Sequence, residues 1–258
     1  MSLKILYWKL FYAIHERKFE YNGHKIKYMF KNCKSNNLCV VFSAFPKKGS
    51  LPGYNMIRSL WNRDGVNLLY IRDDMVKIPT GGSYYLGRDG EYWGIEGVKE
   101  LIKSFTNRGQ YMKCIGVGSS KGGTAALMFG LELEFDAVVI GACQYRIGSY
   151  LNCPYHYKSL QKLTGMERVS IEAINKLDNI VRKIISEHKG ASTEIWFHYS
   201  DEEHTFAEQI RGLLQDLHAN NYHLHEDVMH YADHGDVGKY YPAYMLKTLD
   251  ILLSTNKK

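Results

Sequence analysis

The stretch MKCIGVGSSKGGTAALMFG, residues 112–130, decides the fold. MKCIGV is typical of a buried strand, a glycine-rich turn follows it, and TAALMFG is typical of a helix. Within the turn, Gly118, Ser120 and Gly122 form the pattern Gly-x-Ser-x-Gly. Between a strand and a helix this pattern indicates a sharp turn, in which the glycines leave the crowded positions free and the serine hydroxyl stands at the carboxyl end of a sheet. Ser120 is therefore the candidate nucleophile.

Two phosphate-binding patterns fit the same turn less well. Walker A requires Gly-x-x-x-x-Gly-Lys-[Ser/Thr], whereas Lys121 precedes the glycine pair here. The dinucleotide-binding pattern Gly-x-Gly-x-x-Gly lacks its third glycine, because Lys121 occupies that position. The turn therefore favours nucleophilic chemistry, and no cofactor is expected.

Strand-like and helix-like patterns alternate on both sides of this turn. Apolar or alternating runs typical of strands lie at 25–30, 38–45, 66–71, 112–117, 135–142, 193–199 and 222–229. Patterns typical of helices lie at 92–105, 125–133, 171–187, 204–218 and 240–253. Because most of the apolar runs are too continuous for a sheet with one wet face, we expect an α/β fold with a mostly parallel central sheet and helices on both faces.

One segment breaks the alternation. Residues 144–190 are polar, tyrosine-rich and then helical, and they lie between two core strands. We expect one domain over residues 1–258, with this segment as a helical lid insertion over one end of the sheet. Because tyrosine rings stack on sugars and tyrosine hydroxyls hydrogen-bond to them, Tyr145 and Tyr150 are candidate substrate-binding residues. Tyr155 and Tyr157 belong to the same surface.

A nucleophilic serine needs a histidine base and an acid that orients the imidazole ring. In the chain order serine, acid, histidine, the acid follows the next-to-last strand and the histidine follows the last one. These positions predict Asp201 as the acid and His234 as the base. Glu202 and Glu203 are the fallback acids. His230 is the alternative base, although its place at the end of a strand favours a structural role.

The oxyanion of the reaction needs backbone N–H donors near the serine. Lys121, directly after the candidate nucleophile, supplies one of them. The loop after the strand 38–45 should supply another, from Ala44 or Phe45. Lys47, Lys48 and Lys121 would also surround the mouth of the site and attract an anionic substrate, unless they are ordinary solvated lysines.

A metal site is the rival use of the same acids and histidines. The side chains of ligand type in this region are Asp201, His204, His223, His225, His230, Asp233, His234 and Asp236. His223 and His225 share one face of a strand, but no compact motif such as His-Glu-x-x-His occurs. No metal is expected.

Composition narrows the class of protein. Hydrophobic residues make up 45% and charged residues 23% of 258 residues, as in soluble globular proteins. The net charge of +6 is spread along the chain, and no nucleic-acid-binding pattern occurs, so no nucleic-acid partner is expected. The 5 cysteines show no Cys-x-x-Cys spacing. They indicate free thiols in a reducing, cytoplasmic compartment.

The start of the chain is aromatic and apolar over residues 1–14, with lysines at two positions. It lacks the cleavage site of a signal peptide, and no apolar stretch reaches the roughly 18 residues of a membrane-spanning helix. We expect a terminal segment docked on the domain, with a membrane-surface anchor as the alternative.

The turn also carries a resemblance to a known group. GVGSSKGGTAALMFG, residues 116–130, resembles the GSSKGG elbow of the accessory secretory and capsular polysaccharide biosynthesis families in the α/β-hydrolase superfamily. Segments 84–87, 145–150 and 234–241 are similar too, so the resemblance covers approximately residues 38–250. Accessory secretory proteins carry additional domains, whereas we expect a single domain here, so the resemblance supports the chemistry more than a secretion role.

The resemblance implies an α/β-hydrolase fold with a serine–acid–histidine site on Ser120, Asp201 and His234. It also implies a role in modifying or exporting bacterial surface glycans or glycoproteins, as an O-acetyl esterase or acetyltransferase. The expected function is therefore a serine esterase or acyltransferase that forms an acyl-enzyme on an ester such as an O-acetylated glycan. A non-catalytic glycan- or protein-binding accessory component of the same fold is the alternative, and capsule or secretion machinery or a membrane surface are candidate partners.

Overall fold

The computed structural model describes residues 3–46, 53–76, 78, 81–109 and 111–254. Within this part of the chain eight strands form a single sheet in the order β1-β2-β4-β3-β5-β6-β7-β8. The strands are β1 (Glu16–Tyr21), β2 (His24–Lys31), β3 (Asn37–Phe42), β4 (Asn67–Arg72), β5 (Lys113–Ser119), β6 (Ala137–Gly141), β7 (Glu194–Ser200) and β8 (Leu224–Met229).

The sheet is mostly parallel. Strands β4, β3, β5, β6, β7 and β8 run parallel to one another. The hairpin of β1 and β2 is antiparallel and adds to the edge at β4. Each predicted strand is therefore confirmed, whereas β1 was not predicted.

Helices cover both faces of the sheet. They are α1 (Leu3–His15), α2 (Ile57–Leu60), α3 (Trp93–Gly109), α4 (Lys121–Glu132), α5 (Ile147–Leu151), α6 (Tyr157–Thr164), α7 (Ile171–Glu187), α8 (Arg211–Ala219) and α9 (Val237–Ser254). One turn of π-helix, Phe206–Ile210, leads into α8. Among the described residues, no helix is both long enough and apolar enough to cross a membrane.

The core lies in two layers, one on each face of the sheet. In β3, Leu38, Val40 and Phe42 face the layer that contains α3, α4, α7 and α8. The alternate residues Cys39 and Val41 face the layer that contains α1, α2 and α9. Both sets are buried because successive side chains of a strand point to opposite faces. The expected sheet with helices on both faces is confirmed.

The segment 144–190 consists of α5, α6 and α7 between β6 and β7. Helix α7 buries Leu177, Val181 and Ile185 in the core and packs against α4 and α5. It therefore covers the sheet like the other helices. Tyr150 of α5, and Tyr155 and His156 between α5 and α6, are the part of the segment that lies near Ser119 and Ser120 at the carboxyl end of β5.

One tyrosine of helix α9 hydrogen-bonds to the backbone of two central strands. The hydroxyl of Tyr241 accepts a hydrogen bond from the Gly118 amide of β5 at 2.9 Å and donates one to the Val139 carbonyl of β6 at 2.6 Å. The hydroxyl thus lies between two backbone groups of adjacent strands. A Cβ at Gly141 would approach the Tyr241 ring to 2.6 Å, so this position needs glycine.

Candidate active site

The glycine-rich turn holds Ser120 in a strained conformation. Ser120, at the start of α4, has φ 52° and ψ −128°. Residues other than glycine rarely adopt these backbone dihedral angles. A Cβ at Gly118 would lie 2.2 Å from the Gly122 carbonyl oxygen, and one at Gly122 would lie 2.6 Å from the Phe42 carbonyl oxygen. Both glycines of the pattern are therefore required by close backbone approach.

Ser120 is linked to a histidine and an acid by hydrogen bonds. The Oγ of Ser120 lies 3.0 Å from Nε2 of His234. On the other side of the ring, Nδ1 of His234 lies 2.8 Å from Oε2 of Glu203. Because a carboxylate only accepts, the ring proton belongs on Nδ1, which leaves the Nε2 lone pair for the Ser120 hydroxyl. The Glu203 side chain is fully buried, and that of His234 is 16% exposed.

The structure does not bring Asp201, the predicted acid, to His234. Its carboxylate pairs with Nδ1 of His230 at 2.7 Å, and the two side chains are 39% and 67% exposed. The Asp201 amide still bonds to the Met229 carbonyl, so this residue continues the pairing of β7 with β8. The chain turns inward only after it, which brings the fallback residue Glu203 to the histidine.

One contact of Ser120 was not predicted from the sequence. The side-chain amide of Gln144 donates to Ser120 Oγ at 3.0 Å. Gln144 follows β6 and is fully buried. A single glutamine after an apolar strand gives no sequence signal, because only the folded sheet brings the ends of β5 and β6 together.

The expected oxyanion donors are partly in place. The amide of Ala44 donates to Oδ1 of Asn55 at 3.0 Å, so it is already occupied. That contact leaves Phe45 as the candidate donor from this loop. Lys121 is the first residue of α4, where an amide has no acceptor within the helix. Lys121 and Phe45 are therefore the two candidate backbone donors.

The Lys121 side chain does not lie at the mouth of the site, contrary to expectation. It is 1% exposed, and its ammonium group pairs with the fully buried carboxylate of Asp73 at 2.8 Å. Asp73 also accepts hydrogen bonds from the amide and hydroxyl of Ser83, both at 2.8 Å. Burial lowers the pKa of Lys121, and Asp73 acts against that shift. Lys47 and Lys48 lie outside the described residues.

A groove of about 980 Å³ opens onto Ser120 and His234. One wall of the groove comes from the loop after β3, from α5 and from the turn between α5 and α6. The other wall comes from α1, from α2 and from the residues just before α2. The wall side chains include Phe45, Tyr150, Tyr155 and His156 on one side and Trp8, Tyr12, Tyr54 and Arg58 on the other. His156 is 8% exposed, and its ring lies 4.5 Å from that of Phe45. Burial, followed by the nearby charge of His234, lowers the pKa of His156 to about 4.

The two candidate substrate-binding tyrosines have different surroundings. Tyr150 lines the groove, as expected. Tyr145 is 2% exposed, and its hydroxyl bonds to Asp216 and Arg182 instead. The structure therefore does not place Tyr145 in the groove, because its ring packs in the core. Tyr155 lines the groove.

Within the described residues, one group of three side chains has the types and spacing of metal ligands. Oxygen or nitrogen atoms of Asp201, Glu202 and His230 lie within 4.8 Å of one another, and all three residues are exposed. His225 instead stacks on Trp196, with ring centroids 3.9 Å apart. Within this group Asp201 pairs with His230.

Several solved structures of other proteins are similar to this chain over most of its length. A capsule O-acetyltransferase of Neisseria meningitidis serogroup A, solved in complex with CoA, is 20% identical with a TM-score of 0.70, over 91% of this chain and 94% of that chain. The chain has the α/β-hydrolase fold. FphF, a fluorophosphonate-binding serine hydrolase of Staphylococcus aureus, is 10% identical with a TM-score of 0.65, over 93% of this chain and 98% of that chain.

A third similar structure is a component of the Gap123 glycosylation-associated protein complex of Streptococcus agalactiae. It is 19% identical with a TM-score of 0.74 over 95% of this chain, which spans 48% of that longer chain. No protein-family model matches the sequence, and no curated protein is significantly similar to it. The expected α/β-hydrolase fold is confirmed, and the α5–α6 segment lies at the site where a lid was expected.

Proposed function

We propose that this protein is a serine esterase or acyltransferase that acts on an ester such as an O-acetylated surface glycan. The observation that carries the proposal is the hydrogen-bonded series from Glu203 through His234 to Ser120, with the serine on a strained turn. A structural serine needs neither a strained backbone nor an oriented imidazole. The series is the arrangement that activates a hydroxyl for attack on a carbonyl.

The reaction proceeds in two halves. His234 takes the proton of Ser120 as Oγ attacks the carbonyl carbon of the donor, and Glu203 stabilises the imidazolium that forms. The amides of Lys121 and Phe45 bind the oxyanion. The leaving group takes the proton from His234 and departs, which leaves an acyl-enzyme on Ser120. An acceptor hydroxyl then gives its proton to His234 and receives the acyl group.

The groove supports a substrate much larger than the acyl group itself. Its volume of about 980 Å³ is in the range of sites for extended ligands. Aromatic side chains of both walls offer faces on which sugar rings stack. The similarity to a capsule O-acetyltransferase that binds CoA supports an acyl-CoA thioester as the donor and a glycan hydroxyl as the acceptor. Water as the acceptor would make the protein an esterase.

A second candidate function is a non-catalytic accessory component that binds a glycan or a protein. It is favoured by the similarity to a chain of the Gap123 complex, a glycosylation-associated protein complex. The hydrogen bonds from Glu203 to His234 and from His234 to Ser120 argue against it, because a binding module has no need of them.

For location we propose the cytoplasm, at the periphery of a membrane. Leu6, Tyr7, Leu10 and Ile14 of α1 are at least half exposed, whereas the opposite face of the helix packs on the domain. The helix contains lysines and no acidic residue, which suits an anionic lipid surface. Co-sedimentation with phosphatidylglycerol vesicles, compared for the wild type and a Leu6→Ser/Leu10→Ser variant, tests this location. Equal binding by both proteins would contradict it.

A fluorophosphonate probe tests the proposed function. One adduct should appear on the wild type by intact mass and should be absent from Ser120→Ala. Incubation with acetyl-CoA should then give an acetylated protein whose acetyl group passes to an added glycan. Adduct formation without transfer would indicate the esterase. No adduct on the folded protein would favour the accessory component.

A further inference from the structure

We propose that Gln144 is a catalytic residue of this site. Its side-chain amide donates to Ser120 Oγ and stabilises the negative charge on Oγ while the bond between Oγ and the acyl carbon forms or breaks. This role is separate from that of the backbone amides, which bind the former carbonyl oxygen of the donor. The inference rests on the proposed function, because it needs an acyl-enzyme on Ser120.

The contacts of Gln144 fix which end of its amide faces Ser120. The Nε2 atom lies 3.0 Å from Ser120 Oγ and 3.3 Å from the Ala142 carbonyl oxygen, whereas Oε1 lies farther from Oγ, at 3.4 Å. A carbonyl oxygen only accepts, so the NH₂ end must face Ala142 and therefore also Ser120. The hydroxyl of Tyr84 donates to Oε1 at 3.2 Å, which is consistent with the same orientation. The amide thus presents a donor to Oγ.

The backbone of Gln144 is held by the helix that begins at the serine. Its amide donates to Oγ1 of Thr124 at 3.0 Å, and that hydroxyl lies 2.8 Å from the Gln144 carbonyl oxygen. Thr124 lies in the first turn of α4, four residues after Ser120. Gln144, Thr124 and Tyr84 are all fully buried. The donor is therefore preorganised in a dry environment, where a hydrogen bond to a charged atom is strongest.

The hydrogen bonds of the resting serine are complementary. Ser120 donates its proton to Nε2 of His234 and accepts from Nε2 of Gln144 through an oxygen lone pair. When His234 removes the proton, the bond from Gln144 remains and becomes a bond to a partly negative oxygen. Bonds of this kind are shorter and about twice as strong as those between neutral groups.

The effect differs between the two halves of the reaction. In acylation, the donor stabilises the developing negative charge but also withdraws electron density from the attacking oxygen, so the two effects partly cancel. In deacylation, the bond between the acyl carbon and Oγ breaks, its electron pair returns to Oγ, and His234 gives Oγ the proton that came from the acceptor. A donor at Oγ then assists a leaving group, and nothing opposes it. We therefore expect Gln144 to affect deacylation more than acylation.

The test is the pre-steady-state hydrolysis of 4-nitrophenyl acetate by the full chain. The burst of 4-nitrophenolate reports acylation, and the following steady rate reports deacylation. Gln144→Met keeps the approximate volume of the side chain and removes the donor. We expect deacylation to slow about 10- to 100-fold, as for other hydrogen bonds to charged groups, and acylation to slow less. Gln144→Glu, which replaces the donor by an acceptor, should slow deacylation at least as much.

Tyr84→Phe is the matched control, because it removes the bond to Oε1 and leaves Ser120 untouched. It should slow deacylation by less than Gln144→Met does. Equal slowing of both steps in the Gln144 variants, or an unchanged deacylation rate, would overturn the role of Gln144. A wild type that forms no acyl-enzyme would instead overturn the proposed function, and this inference with it. The melting temperature of each variant shows whether a loss of activity comes from unfolding.

Discussion

Substitution of Glu203 by Gln tests which acid orients His234. The geometry favours Glu203, whereas chain order favours Asp201. Glu203 lies 2.8 Å from Nδ1 of His234. A charge pair at this distance interacts by about 6 kcal/mol at an effective dielectric constant of about 20. Glutamine removes this stabilisation of the imidazolium that forms as Ser120 attacks. Because about 1.4 kcal/mol corresponds to a tenfold change in rate, kcat/KM should fall about 10³- to 10⁴-fold.

The same substitution should leave the fold intact. The Glu203 side chain is fully buried, and its Oε1 has no hydrogen-bond partner within the described residues. A buried carboxylate with one unpaired oxygen is costly to desolvate, and the neutral amide is cheaper to bury. We expect the free energy of unfolding of Glu203→Gln to equal or exceed that of the wild type. Loss of activity with retained stability would therefore be specific to the chemistry.

Asp201→Asn is the matched control. Asp201 and its partner His230 are exposed to solvent, so their pairing contributes little. The assay is the hydrolysis of 4-nitrophenyl acetate at neutral pH, with chemical denaturation of each variant. Asp201→Asn should change kcat/KM by less than about twofold. A large loss in Asp201→Asn together with a small loss in Glu203→Gln would refute the assignment of the acid.

Three further predictions concern the surroundings of the site. Lys121→Met leaves Asp73 buried without its cation and should lower the free energy of unfolding by about 3–5 kcal/mol in urea denaturation, whereas adding Asp73→Asn should restore part of the loss. Gly122→Ala places a Cβ 2.6 Å from the Phe42 carbonyl oxygen and should lower both the melting temperature and labelling by the fluorophosphonate. The pKa of His156 is lowered to about 4, so its imidazole stays neutral in the folded protein at higher pH. In the unfolded chain the imidazole takes up a proton near pH 6.5. The free energy of unfolding should therefore fall as the pH is lowered from about 6.5 to about 4. The fall in melting temperature over that range should be smaller in His156→Phe, and an equal fall would contradict the shift.

The sequence predicted the sheet because the pattern of its strands depends on burial. The run from Leu38 to Phe42 is apolar at every position, since both faces of β3 are covered, and this pattern is visible without a structure. The strand β1 was missed because its residues are half-exposed and charged at an edge of the sheet. Helix α1 was missed because apolar and aromatic side chains surround it, so no helical stripe stands out.

The site was predicted as far as local sequence determines it. The turn around Ser120 is defined by neighbouring residues, and the histidine by its place after the last strand. Which acid reaches the histidine depends on where the chain turns inward after β7. The sequence does not show whether this turn comes before Asp201 or before Glu203, two residues later. Gln144 comes from another strand, so only the tertiary structure brings it to the serine. For the same reason the pairing of Lys121 with Asp73, 48 positions apart in the chain, was not predicted.

The hydroxyl of Tyr241 has a consequence for amide hydrogen exchange. Since the Gly118 amide donates to this hydroxyl, undocking of α9 removes that acceptor and lowers the protection of the amide. Isotope exchange at Gly118 therefore measures how often the C-terminal helix leaves the sheet, even while the strands remain paired. The loop with His234 leads directly into this helix, so each such opening also carries the histidine away from the serine. When closing is faster than exchange, the ratio of the exchange rate at Gly118 to that of a free amide thus gives the fraction of time in which the histidine and the serine are apart.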